Sequence, residues 1–158
     1  MRNFCCLLLA VFIALSAAPA FAAPPESSGE AEVRRTLADF IQAFDNLEWD
    51  RFHAFFLDDA TVFYPRAIPD RANGRAELEK NFRQVFEQIR AGRSHGPYMD
   101  LQPRGLTLQM AGEVAIATFH LDDRPGFVNR RTVVLKKTAA GWKILHLHAS
   151  EVAIPAKQ

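Results

Sequence analysis

The sequence predicts an α+β fold. Three observations carry that expectation: apolar residues at helical spacing in the first half, β-branched and aromatic runs in the second, and short Gly-containing turns between those runs. Helical segments come first and a strand meander last, the order of an α+β domain rather than of alternating βαβ units.

Residues 1–22 precede the domain and have their own logic. One charge at Arg2, an apolar run from Phe4 to Ala18 and the small-x-small string Ala20-Phe21-Ala22 make a signal-peptide pattern, with cleavage expected after Ala22. The run is shorter than the ~20 apolar residues of a membrane span. The expectation is a periplasmic or secreted protein, with no membrane contact after cleavage. A flexible Pro/Ser/Gly-rich leader is expected at 23–30, a domain at 31–153 and a tail at 154–158.

Both cysteines, Cys5 and Cys6, lie in the removable segment, so the core must hold the mature fold without disulfides. The formal charge is +1. Loss of Arg2 leaves acidic and basic side chains equal in number, and the cations are dispersed. No nucleic-acid footprint is present.

Within the domain, Val33, Leu37, Phe40, Ile41 and Phe44 share one helical face, predicting a first helix over 30–46. Phe52, Phe55 and Phe56 predict a short second helix over 49–57. Ala60 to Tyr64 reads as a strand stopped by Pro65. Gly74 to Ala91 carries Leu78, Phe82, Val85, Phe86 and Ile89 at helical spacing, with Gly92 as its stop. Four strands are then expected, at 101–110, 114–121, 128–137 and 142–149, joined by short turns.

Three strings in this order are similar to the SnoaL-like branch of the nuclear transport factor 2-like superfamily. They are Leu57-Asp58-Asp59-Ala60-Thr61-Val62-Phe63-Tyr64, Gly74-Arg75-Ala76-Glu77-Leu78, and the ending Gly141 to Ser150. The resemblance spans roughly Val33 to Val152. It implies a cystatin-like α+β roll: a cone-shaped, curved antiparallel sheet, closed over a pocket by N-terminal helices. It also implies homodimers paired through the convex sheet face. The fold alone does not carry a function.

Isomerase-like members of that superfamily use a helix-one tyrosine, a carboxylate base after the first strand and a late-strand acid. Phe40, Tyr64 and Thr132 stand at those positions here. The last strands also resemble the association domain of calcium/calmodulin-dependent protein kinase II, whose pocket arginines take a carboxylate. His120, Thr132 and Ala149 stand at the three arginine positions, with Arg130 on the same strand face as Thr132.

Side chains alternate along a strand. Placed by the resemblance, three sets line the concave side: Val114, Ile116, Thr118 and His120; Arg130, Thr132 and Val134; Lys143, Leu145, Leu147 and Ala149. The expected pocket is apolar, with Tyr64, Thr118, His120, Arg130 and Thr132 as its polar points. No catalytic set is recognisable. His120 is the one candidate for proton transfer, since an imidazole titrates near neutral pH.

His146 and His148 have metal-ligand spacing but lack a third ligand, and with Trp142 and Ile144 are assigned to the convex surface. No metal and no cofactor are expected. The primary reading is a binder of a small, largely apolar molecule bearing an oxygen or carboxylate group. Two others stand beside it: an isomerase, lyase or hydrolase using His120 with Tyr64 or Arg130, and a homo-oligomeric assembly module with a vestigial pocket.

Overall fold

The computed structural model describes residues 27–66, 68–121 and 125–154. The signal-peptide expectation therefore lies outside the described residues, as do 23–26 of the leader and 155–158 of the tail. Among the described residues nine elements follow one another: α1 Ser28–Asp45, α2 Trp49–His53, β1 Phe56–Phe63, β2 Ala72–Asn73, α3 Gly74–Gly92, β3 Pro103–Ala111, β4 Val114–Leu121, β5 Phe127–Thr138 and β6 Gly141–Ala153.

Helix α1 starts two residues before the expected position because Ser27 and Glu30 form a reciprocal capping box. The Glu30 N–H donates to Ser27 Oγ at 3.2 Å, and the Ser27 N–H donates to Glu30 Oε2 at 3.1 Å. Its buried face is Val33, Leu37, Phe40, Ile41 and Ala43. Helix α2 is four residues shorter than its pattern predicts. The Ile144 N–H donates to the Phe55 carbonyl at 2.7 Å, and Phe56 pairs with Ile144, so sheet pairing overrides local helical periodicity there.

The six strands form one curved, mixed sheet in the order β2-β1-β6-β5-β4-β3. The α+β expectation holds, but the sheet is not purely antiparallel: β1 runs parallel to β6, with Thr61 opposite His146 and Phe63 opposite His148. Helix α3 and the β3–β5 meander separate these strands in the chain, so no hairpin has to join them. The two-residue β2, absent from the sequence reading, pairs with β1 and leads into α3 through Gly74, whose φ of +78° favours glycine.

Phe52, fully buried, sits at the centre of the aromatic core. It stacks on Phe44 and Phe40 at 5.2 and 5.3 Å between centroids, and meets Phe82 and Phe86 at 4.7 and 5.0 Å. At these spacings aromatic pairs add to the stabilisation from burial alone. At one end of the sheet Glu32 joins α1 to the last hairpin, accepting from Lys137 Nζ and from Trp142 Nε1. At the other, Asp45 ties the segment after α3 to α1. Its carboxylate accepts from the N–H groups of Met99, Asp100 and Leu101 at 2.7, 2.9 and 3.3 Å, while its carbonyl accepts from Tyr98.

Which face of each strand looks toward the helices differs from the expectation in two and a half strands. On β4 the buried residues are Ala115, Ala117, Phe119 and Leu121; on β5 they are Asn129, Val133 and Leu135, with Arg131 in phase. Thr118, His120, Arg130 and Thr132 alternate with these and face the convex side. A register shift in β6 between the pairs Val134–His146 and Leu135–Ile144 inserts one extra residue, so both Ile144 and Leu147 are buried. Leu147 and Ala149 face inward as expected. Trp142 and Ile144, assigned to the convex surface, belong to the core.

Candidate functional site

The cavity with the site's chemistry opens between α1, α3 and the β1–β6–β5 part of the sheet and has a volume of about 390 Å³. That is within the usual range for small-molecule sites. Helix α1 supplies Phe44, α3 supplies Phe82, Val85 and Ile89, and the sheet supplies Val62, Leu147 and Ala149. Met99 closes one side, placed there by the three hydrogen bonds to Asp45. The polar members of the lining are Tyr64, Arg66, Gln84, Gln88 and Arg131.

Tyr64 follows β1 directly, where Pro65 ends the strand, and its ring meets Phe82 edge-on at 5.1 Å. Its hydroxyl oxygen is buried and has no hydrogen-bond partner among the described residues. Burial pushes the phenol well above its ordinary 10; Asn81 offsets part of that rise without reaching hydrogen-bond geometry. The group is therefore a neutral donor throughout the physiological range and cannot serve as a base there. Leaving such a hydroxyl unpaired costs roughly 1–3 kcal/mol.

Two cations accompany it. Arg131 is half-buried and one Nη donates to the Arg130 carbonyl at 3.1 Å; a guanidinium carries five N–H donors in a planar fork. Arg66 stands on the lining's outer side and pairs through Nε with Glu151 Oε2 at 2.7 Å. Glu151 lies opposite Asn129, on the inward face of β6. Arg131, Arg66 and Glu151 were not singled out in the sequence. The signal for Arg131 was present, since it is one residue from Arg130 and only the parity separates them.

Of the five expected ligand contacts, the structure places Tyr64 in the cavity lining. Thr118 and Thr132 face each other across β4 and β5 on the convex side, as do His120 and Arg130. His120 is exposed and has Arg104 as its other cross-strand neighbour. His146 and His148 are convex as expected: His146 Nδ1 is 2.7 Å from Thr61 Oγ1, and Phe63 contacts both rings. Among the described residues no group of three or more His, Cys, Asp or Glu has metal-binding geometry.

The model for the SnoaL-like domain matches residues 33–155. The chain belongs to the SnoaL-like domain family. Solved structures agree at the level of fold. An NTF2-like protein from Pseudomonas putida KT2440 is 22% identical with a TM-score of 0.65, over 78% of this chain and 86% of that one. A CaMKII hub from S. rosetta is 24% identical with a TM-score of 0.59, over 81% and 99%. A protein with a cystatin-like fold from Caulobacter vibrioides is 16% identical with a TM-score of 0.63, over 80% and 91%. No curated protein matches the chain significantly in sequence. In this SnoaL-like chain the family fold thus brings together a phenol, two guanidinium groups and two glutamine amides around apolar walls.

Proposed function

We propose that this SnoaL-like protein binds a small, largely apolar molecule with an oxygen or carboxylate group in the cavity. The observation that carries the reading is Tyr64, a residue of the cavity lining whose buried hydroxyl has no hydrogen-bond partner among the described residues. Its donor, with Arg66 and Arg131 in the same lining, suits an acceptor oxygen of negative charge. The described lining contributes donors and amides but no Asp, Glu or His, so the residues favour retention of a ligand over proton transfer to carbon. His120, the sequence candidate for that transfer, lies on the other face.

Thermal denaturation against a panel of small carboxylates and their uncharged amides tests this. A binder is stabilised by RT ln(1 + [L]/Kd), so the carboxylates should raise Tm and the amides raise it less. Tyr64→Phe should weaken binding about tenfold while leaving stability unchanged or slightly higher, because it removes an unsatisfied group. A panel in which nothing moves Tm, together with unaltered behaviour of the variant, would sink the reading.

A homodimer through the convex face is part of the same proposal. It is favoured by the apolar side chains standing out there and at the strand ends: Phe63, Val152 and Ile154 are 36, 44 and 53% exposed. Light scattering of wild type and Val134→Glu would show a dimer becoming a monomer; a monomeric wild type ends this part. Export is proposed from the pattern at 1–22, and the mass of the protein recovered from the cell envelope or medium should correspond to a chain starting at Ala23. No helix among the described residues is long and apolar enough to cross a membrane.

A further inference from the structure

We infer that the ligand is a monocarboxylate with a straight apolar tail, the tail's end passing between Phe44 and Phe82 into a second void. The inference rests on the binding reading above and adds the shape of the molecule.

Behind the main cavity lies a void of about 40 Å³ whose own lining includes Phe40, Ile41, Phe52, Leu101, Phe119 and Leu121. It shares Phe44, Phe82, Arg131 and Leu147 with the main cavity, so the two spaces adjoin at these residues. The void is about one water in size and its walls, Arg131 apart, are hydrocarbon, which disfavours a water there. Atoms lining a dry gap lack dispersion partners on that side, and an apolar group entering it restores them.

The partition itself is thin. Phe44 and Phe82 meet edge-on, with centroids 6.1 Å apart and planes at 79°. Both rings contact other rings, but Phe44 is only partly buried whereas Phe82 is 4% exposed, so Phe44 has more room to turn aside. With Phe44 turned aside, the opening beside Phe82 would admit the cross-section of an unbranched chain more readily than a branched or aryl group. The polar end stays with Tyr64 and Arg66, whose residues line the main cavity and not the second void.

The test is calorimetric titration of the full chain with unbranched alkanoates of increasing length, and with branched and aryl carboxylates of equal carbon number. Wild type is compared with Phe119→Leu, which widens the second void, and Leu101→Phe, which fills it. Affinity should rise about fourfold per methylene until the void is full. That ceiling should come at least one carbon later in Phe119→Leu and one earlier in Leu101→Phe, with short acids unaffected. A ceiling at the same length in all three proteins, or branched and aryl acids binding as tightly as straight ones, overturns the inference and leaves the cavity reading standing. Absence of binding by every acid of every shape overturns both. Near-ultraviolet circular dichroism establishes that each variant is folded; if Leu101→Phe is not, the shift in Phe119→Leu decides alone.

Discussion

The two faces of the sheet are built from the same strands and similar residue types, yet they have opposite roles. On the helix side β4 presents Ala115, Ala117 and Phe119, all nearly inaccessible; on the convex side the same strand presents Ile116, Thr118 and His120, half-buried or exposed. On β5 the adjacent arginines divide the same way, Arg131 into the cavity lining and Arg130 outward. Chemistry here is decided by which face a residue occupies more than by which residue it is.

The sharpest way to break that contrast is a matched pair on β5. Val133→Asp places a carboxylate at a fully buried position and should cost on the order of 4 kcal/mol. Val134→Asp, one residue away and half-buried, should leave the monomer folded. Urea denaturation reads the difference, and equal losses would mean that the faces are misassigned. Next is Asp45→Ala, which removes the acceptor for three backbone N–H groups and should cost ~2–4 kcal/mol. Because Met99 is held by that carboxylate, ligand affinity should fall as well; a stability loss without an affinity loss would separate the segment from the cavity wall.

A smaller effect is expected from a second matched pair. Arg131→Gln should weaken carboxylate binding about tenfold while Arg130→Gln leaves it unchanged, a difference of about 1.4 kcal/mol. The reverse order in calorimetry would restore the parity expected from the sequence.

The smallest effect belongs to the convex face. Burial first, then His148 and Arg71, hold the His146 imidazole below its ordinary 6.5, with Thr61 opposing. The unfolded chain thus gains a proton before the folded one does. Stability from the neutral ring is whole above about pH 6.5 and is lost as pH falls from there toward the folded value. Wild type should therefore lose stability relative to His146→Asn on the acid side; parallel curves from pH 5 to 8 would remove His146 from the pH response.

Much of the fold was legible because it rests on local signals. The apolar stripes of α1 and α3, Gly74 at the start of α3 and the Gly-containing turns around 112 and 141 are each written within a few residues. Strand parity was not. Apolar residues occur on both faces of β4 and β5, as Val114 and Ile116 against Ala115 and Ala117 or Val134 against Val133 show, since the convex side is itself half-buried, so alternation names two faces without saying which is covered. The extra residue in β6 makes parity change partway along that strand, which no local signal announces. The extent of α2 depended on a partner almost ninety residues away, and the pairing of Arg66 with Glu151 on the same kind of distance.

The parallel pairing of β1 with β6 has a temporal side. Thr61 and His146 are 85 positions apart, and at the usual rate of synthesis that separation takes roughly 4–17 s to make. During that interval β1 has its two-residue neighbour β2 on one edge and nothing on the other, since β6 does not yet exist. Completion of this sheet is thus reserved for the last stretch of the chain, a non-local closure of the kind that slows folding. A nascent polypeptide halted before residue 141 carries α1, α2 and α3 and no finished wall for them to pack against.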